Sequence, residues 1–333
     1  MGRLRAYSIR AQLGLPTHPM PTLIYSHPAS LAHETPNGHP ERIDRIRTVH
    51  QVIRSPHFKA AIHRECPLGT EEQILRAHTD EHYHRILQAA PETGFEYLDS
   101  DTPMSPHSLA AALRAVGGAC AAVDAVIAGE ANNAFIAMRP PGHHAEANRA
   151  MGFCMFNQAA IAALHARAAH GMERVAVVDF DVHHGNGTQD IFWSDKNLFY
   201  GSTHQMPLYP GSGARSETGV GNIFNAPLKA GDAGAEFRTA MEDIILPALN
   251  LFEPELLIIS AGFDAHIRDP LGSLELEEED FAWATVALME IADTHAGGKI
   301  VSVLEGGYDL QGLAGGVGAH LQALLHGSDA LED

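Results

Sequence analysis

Several short apolar runs punctuate the chain, and they are continuous rather than alternating. Thr22-Leu23-Ile24-Tyr25, Ala134-Phe135-Ile136-Ala137-Met138, Val175-Ala176-Val177-Val178, residues 256–260 and residues 300–304 all have this character. A strand with one face in water alternates with a period of two, whereas a strand covered on both faces reads as an unbroken apolar run. The runs therefore predict buried parallel strands. Between them lie stretches with helical spacing. Ile43, Ile46, Val49 and Ile53 form one stripe, and Pro40 suits a first helical position, so this helix is expected to begin there. Thr70 with Gln73 makes a capping box ahead of Ile74-Leu75. Residues 106–128 read as a long Ala-rich helix stopped by Gly129, and Gln158 to His170 as another stopped by Gly171. A further helix is expected near 277–295. Alternating strands and helices predict an α/β fold with one central, mostly parallel sheet flanked by helices. The chain has no internal repeat and no low-complexity segment.

The residues that follow four of these runs carry chemistry. After 175–178 comes Asp179-Phe180-Asp181-Val182-His183-His184-Gly185-Asn186-Gly187. If the strand continues, Asp181 and His183 point to one face, and a carboxylate with an imidazole at the carboxyl end of a buried strand suits a divalent metal. After 134–138 comes Arg139-Pro140-Pro141-Gly142-His143-His144-Ala145, where the prolines end any regular element. Two adjacent histidines near a metal suggest acid–base work, because imidazole titrates close to neutral pH. The run Ile258-Ile259-Ser260-Ala261-Gly262-Phe263 ends in Asp264, and Val301-Ser302-Val303-Leu304-Glu305 opens through Gly306-Gly307 onto Tyr308. Asp/His, His-His, Asp and Tyr at four strand ends form a metallohydrolase inventory. Gly211-Ser212-Gly213 and Gly219-Val220-Gly221 lack a following Walker-type lysine and read as site loops.

The signatures RPPGHHA, GFCMFNQAA, VDFDVHHGNGTQ, SAGFDAH and EGGYDL, in this order from about Tyr25 to about Leu325, resemble those of the zinc-dependent histone deacetylase superfamily. That superfamily includes bacterial histone-deacetylase-like amidohydrolases and acetylpolyamine amidohydrolases. The resemblance implies the arginase–deacetylase fold. It also implies three ligands for one zinc ion (Zn2+, with Fe2+ as an alternative), matched here by Asp181, His183 and Asp264. His143 and His144 match the tandem histidines, the first paired with Asp179 and the second with Asn186. His144 would then activate water and protonate the leaving amine, with His143 in electrostatic support and Tyr308 donating to the developing oxyanion. Asn at 186, rather than Asp, resembles the class II-like and bacterial branch. Phe153 and Tyr209 match the aromatic pair of the substrate tunnel, with the Gly152 carbonyl nearby. Asp179, Asp181, His183, Ser202 and Thr203 match a monovalent-cation site that would take potassium (K+).

The resemblance implies removal of acetyl or other acyl groups from acyl-lysine or a small acylated amine. Leu271 stands where polyamine-selective relatives carry a glutamate, which favours acyl-lysine over acetylspermidine. An acetylpolyamine amidohydrolase remains the alternative, since relatives also select by a dimer that narrows the entrance, and Asp99 and Asp101 offer rim charge or simply solvate a loop. A catalytically silent acyl-lysine binding protein is a remoter reading: it would tolerate loss of Tyr308 or of one histidine, and this chain keeps both. An arginase-like dinuclear site would need more ligands than these strand ends provide. His184 and His204 read as structural, and His27, His33 and Glu34 as solvated loop residues.

Composition refines the picture. The chain has 333 residues, enough for one large domain at 21–333 after an extension of unclear role at 1–20. A net charge of -19 argues against a nucleic-acid partner and is compatible with cationic substrates. Three cysteines (Cys66, Cys120, Cys154) give no disulfide framework and fit a reducing cytoplasm. No apolar run reads as long enough to span a bilayer, so no membrane partner is expected. A homo-oligomer, dimer or tetramer, fits the family.

Overall fold

The expected runs all become strands of one sheet in the computed structural model, which describes residues 21–331. The proposed extension at 1–20 lies outside the described residues. The strands are β1 (Thr22–Ser26), β2 (Ile62–Glu65), β3 (Glu96–Tyr97), β4 (Pro103–Met104), β5 (Asn133–Ala137), β6 (Val175–Asp179), β7 (Leu198–Gln205), β8 (Ile223–Leu228), β9 (Leu256–Ala261) and β10 (Ile300–Leu304). Eight of them form a parallel sheet in the order β2-β1-β5-β10-β9-β6-β7-β8, and β3 and β4 make a separate antiparallel ribbon.

Every residue of β5, β6, β9 and β10 is buried. Their side chains alternate between two apolar layers. Val175, Val177, Ile258 and Val301 join the layer under the helices Ser108–Ile127 and Gln158–His170. Ala176, Val178, Ile259 and Phe135 join the opposite layer under Ile43–Ile53, Glu278–His295 and Leu310–His326. Both faces being covered is why the strands carry no polar alternation.

Two expectations about helices are corrected. The first helical stripe starts at Ile43 with Arg42 as its cap, not at Pro40. Pro40 instead belongs to a turn, its carbonyl accepting from Arg42 N at 3.0 Å, because the neighbouring Glu41 is drawn into a buried ion pair with Arg139. The helix Ser108–Ile127 is long and apolar enough, by length and composition, to cross a bilayer, contrary to the reading that no run qualifies. Its apolar residues are those of a core helix: Ala112, Val116, Ala119 and Val123 are buried in the layer against the sheet. The capping box at Thr70 and the left-handed stop at Gly171 form as expected.

The sheet order places the site. The four strands whose ends carry chemistry, β5, β10, β9 and β6, are four consecutive neighbours at the centre of the sheet. In a parallel sheet their carboxyl ends lie on one edge, where ligands bind in α/β folds.

Candidate active site

β6 ends at Asp179, so Asp181 and His183 are not on a continued strand as expected. They are brought together by turns instead. Asp181 N donates to Asp179 Oδ1 at 3.1 Å and His183 N to Asp181 Oδ1 at 2.9 Å, each aspartate folding the backbone two residues ahead. Val182 N donates to Asp264 Oδ1 at 2.9 Å, pinning this bend to the end of β9. The outcome is a buried trio: His183 Nδ1 lies 3.1 Å from both Asp181 Oδ1 and Asp264 Oδ2, and one donor atom from each residue falls within 4.8 Å of the others.

The β10 loop closes against this trio. Gly306 N donates to Asp181 Oδ2 at 2.8 Å, and a Cβ at this glycine would lie 2.0 Å from Asp264 Oδ2. Only glycine leaves room for both carboxylates. Two carboxylates and an imidazole, buried and converging beside a residue with no side chain, fit a small divalent cation with an open coordination position.

Their electrostatics express mutual pairing. Burial alone would lower His183, but its hydrogen bonds to Asp181 and Asp264 outweigh that and push it up to about 10. Asp264 is raised to about 7, by burial first and then by the nearby Asp181 charge. Asp181 goes the other way despite burial, held down by His143 and His183.

The tandem histidines stand beside the trio with ring centres 4.0 Å apart, yet they have different partners. His143 Nδ1 donates to Asp179 Oδ2 at 2.9 Å, and its Nε2 is 3.8 Å from Asp181 Oδ2. His144 Nδ1 donates to Asn186 Oδ1 at 2.9 Å. Burial opposes charge on both. For His143 the carboxylates of Asp179, Asp181 and Glu305 prevail and its pKa rises well above the usual value. For His144 burial is reinforced by His143 and His183, and its pKa falls well below. The surroundings thus push the two rings in opposite directions, His143 toward its charged form and His144 toward its neutral one.

Tyr308 is buried at the mouth of the β10 loop, its ring 5.9 Å edge-on to Phe153. The Arg45 guanidinium stands 4.7 Å from the centre of the Tyr308 ring. Arg45 also donates to the carbonyls of Gly307 and Glu305, both at 2.5 Å. Burial raises the Tyr308 hydroxyl well above its ordinary range, so it stays protonated. Tyr209, 38% exposed, packs 5.1 Å from the His144 ring and 6.3 Å from that of His183. The backbone at Gly152 and Phe153 is left-handed (φ 57 and 68), a conformation that Phe adopts rarely. A Cβ at Gly152 would meet His144 Cδ2 at 2.5 Å, so that glycine lets the loop approach the imidazole. The Gly152 carbonyl accepts from the Cys154 thiol at 3.2 Å. Leu271 is half-buried and reaches Tyr308 through one carboxylate: Asp269 accepts from Leu271 N at 3.0 Å and from Tyr308 N at 2.6 Å.

Ser202 pairs across the sheet with Asp179, its hydroxyl 2.9 Å from His204 Nδ1, and the buried Thr203 hydroxyl has no hydrogen-bond partner. His184 and His204 have both ring nitrogens engaged by Ser212, Gln189, Ser202 and the Gly213 carbonyl. His33, read as a solvated loop residue, is instead buried, 3.3 Å from Glu41, because the Arg139 cluster draws in the surrounding loop.

Several residues that hold the site were given no role in the sequence reading. Glu41 accepts two hydrogen bonds from Arg139, at 2.6 and 2.5 Å, and one from Arg45 at 2.9 Å. It thereby joins the His-His loop to the Tyr308 loop. All three are buried, and removing one partner from such a pair costs about 3–5 kcal/mol. Glu305 accepts from the backbone of Gly142 at 2.7 Å and His143 at 3.2 Å, and Tyr200 donates to Asp179 at 3.1 Å. Arg139 and Glu305 sit inside the conspicuous motifs, which was the available signal. Glu41 lies just ahead of the helix Ile43–Ile53 and Arg45 within its first turn, away from any conspicuous motif, and only the fold reveals them.

A second His/Asp group, Asp124, His165 and His170, lies between the helices Ser108–Ile127 and Gln158–His170. There Arg76 donates to His165 Nδ1, which leaves Nε2 protonated and donating to Asp124 at 2.7 Å. That trio is satisfied as a hydrogen-bonded cluster.

The sequence matches the histone deacetylase domain over residues 39–324. A histone deacetylase-like amidohydrolase from Pseudomonas aeruginosa is 40% identical over 277 residues, covering 81% of this chain and 73% of that protein. A probable deacetylase from Archaeoglobus fulgidus is 39% identical over 300 residues, covering 88% and 83%. The crystal structure of the HDA15 HD domain superposes with a TM-score of 0.87 at 34% identity, covering 92% of this chain and 90% of that one. Sequence and architecture agree, and the sheet flanked by helices is the arginase–deacetylase fold: the chain belongs to the histone deacetylase family.

Proposed function

We propose that the protein is a metal-dependent amidohydrolase that removes acetyl or another acyl group from the amine of acyl-lysine or a related small acylated amine. The observation that carries this reading is a pair of adjacent histidines with ring centres 4.0 Å apart, one paired with the Asp179 carboxylate and the other with the neutral Asn186 amide, beside a buried Asp/His/Asp trio. Amide hydrolysis needs a base that is neutral before attack and a nearby positive charge that persists.

Asp181, His183 and Asp264 would hold zinc, or iron(II), which this donor set also accepts. When bound, such an ion supplies Lewis acidity, polarising the amide carbonyl and lowering the pKa of water. His144, with its proton on Nδ1 and given to Asn186, keeps Nε2 free to accept the proton of the attacking water and to return it to the leaving amine. His143, held by Asp179 and pushed toward its charged form by the surrounding carboxylates, would favour the developing negative charge. Tyr308, kept protonated by burial, donates a hydrogen bond to the oxyanion. Phe153 and Tyr209 offer flat apolar walls to an alkyl stem. Asp179, Asp181, His183, Ser202 and Thr203 are proposed to hold potassium. The buried, unpartnered Thr203 hydroxyl and the pairing of Ser202 with Asp179 support that site.

Leu271 is tied to the Tyr308 backbone through Asp269 and carries no charge of its own for a distant ammonium, which supports the acyl-lysine reading. An acetylpolyamine reading has one observation in its favour. Asp101 lies beside the rim, its carbonyl 3.1 Å from His39, whose ring packs 4.7 Å from Phe153. Turnover of acetyl-lysine peptides, acetylated polyamines and longer acyl-lysines, with metal content measured on the same sample, decides between them. Absence of turnover on every acylated amine by metal-loaded protein would leave a silent binding protein.

A further inference from the structure

We propose that Glu146 is a positioning residue for the general base: it fixes which way the Asn186 amide points, and so which nitrogen of His144 carries the proton. This rests on the reading of His144 as the base. A primary amide has nearly the same shape in its two orientations, but exchanging oxygen and nitrogen turns an acceptor into a donor. His144 Nδ1 faces Asn186 Oδ1 at 2.9 Å, which requires an N–H at Nδ1 and leaves Nε2 bare. On its other side, the Asn186 amide nitrogen donates to Glu146 Oε1 at 2.8 Å. Its remaining neighbours are the His144 carbonyl at 3.4 Å and the Met151 sulfur at 3.3 Å, a long contact and a weak acceptor.

In the flipped orientation, Asn186 Oδ1 would face a carboxylate, a thioether and a carbonyl, with no donor among them. His144 would then meet an N–H at Nδ1, and its own proton would move to Nε2. That tautomer cannot accept a proton from water. The Glu146 carboxylate is the strongest of the three acceptors and therefore the main determinant of the productive form.

Glu146 is itself held in place. Its backbone N–H donates to the Arg149 carbonyl at 2.9 Å, and Arg149 Nη2 donates to its Oε1 at 3.3 Å. Its side chain is 24% exposed, on a surface recess of about 300 Å³ that also touches Arg149, Asn186 and Trp193. A small carboxylate from solvent can therefore reach the gap left when this side chain is truncated.

The test compares zinc-loaded wild type with Glu146→Ala, Glu146→Gln and His144→Ala on an acetyl-lysine peptide, with zinc content measured on each. Glu146→Ala should lower kcat by about 10–100-fold, within what a general base contributes, with zinc content unchanged. KM should stay within about twofold, because substrate binding does not use this contact. Glu146→Gln keeps a carbonyl acceptor, which Arg149 Nη2 holds toward Asn186 because it donates to the same oxygen, and should recover most of the loss. Added formate should partly restore Glu146→Ala but not His144→Ala. In 15N-histidine spectra, His144 of wild type should be protonated at Nδ1, and in Glu146→Ala it should be a mixture of tautomers. Wild-type kcat in Glu146→Ala, or Glu146→Gln as slow as Glu146→Ala, overturns the proposal. So does loss of zinc in step with activity. If wild type turns over no substrate, the function reading fails, while the tautomer comparison still decides this inference.

Discussion

His144 Nδ1 and Asn186 Oδ1 lie 2.9 Å apart, a buried imidazole paired with a neutral amide. One residue earlier, His143 meets the carboxylate of Asp179 at the same distance. The two histidines are adjacent in the chain and differ in the charges around them: burial is outweighed at His143 by the carboxylates of Asp179, Asp181 and Glu305, and at His144 it is reinforced by His143 and His183.

Asn186→Asp should therefore raise the pKa of His144. The base must be neutral to accept a proton, so activity rises with pH through the pKa of His144. A carboxylate partner stabilises the imidazolium, and the acid limb of the kcat/KM profile should move to higher pH by about 1–3 pH units. A limb that stays in place, or moves to lower pH, removes His144 from the role of base.

The Asp181–His183–Asp264 trio predicts one metal ion per chain. Asp264→Ala or His183→Ala should lose both metal and activity, because each deletes one of three protein ligands. Metal analysis on purified variants reads the outcome. Two equivalents of metal in active wild type would refute the mononuclear arrangement.

Specificity is predicted to respond to Leu271. Leu271→Glu should raise kcat/KM for acetylspermidine relative to an acetyl-lysine peptide. A partly exposed carboxylate–ammonium pair contributes only about 0.2–1 kcal/mol, so the gain should be a few-fold and should shrink with added salt. Wild type that strongly prefers acetylated polyamines contradicts the inference drawn from this residue.

Much of the site was legible because buried parallel strands announce themselves as apolar runs and their ends carry the chemistry. Asp264 and Tyr308 were found this way without knowing which strands are neighbours. β7 was not, since Leu198–Gln205 buries Ser202, Thr203, His204 and Gln205 within its length and so lacks an apolar signature. The strand expected to carry Asp181 and His183 ends earlier because the carboxylates of Asp179 and Asp181 accept from the backbone amides of Asp181 and His183 and form turns, a local competition that period-two reasoning ignores. The ion-pair network of Glu41, Arg139 and Arg45 spans 98 residues between Glu41 and Arg139, a separation at which sequence spacing holds no information. Burial of His33 follows from that same network.

If the chain hydrolyses an amide as proposed, Tyr308 supplies the oxyanion donor beside the His143/His144 pair. The most direct measurement is single-substrate kinetics of Tyr308→Phe against wild type on an acetyl-lysine peptide, with metal quantified in both. Equal metal content, a modest change in KM and a fall in kcat of about 10²–10³ are expected, the loss that follows removal of an oxyanion donor. A Phe variant that turns over substrate as fast as wild type would contradict that role of Tyr308.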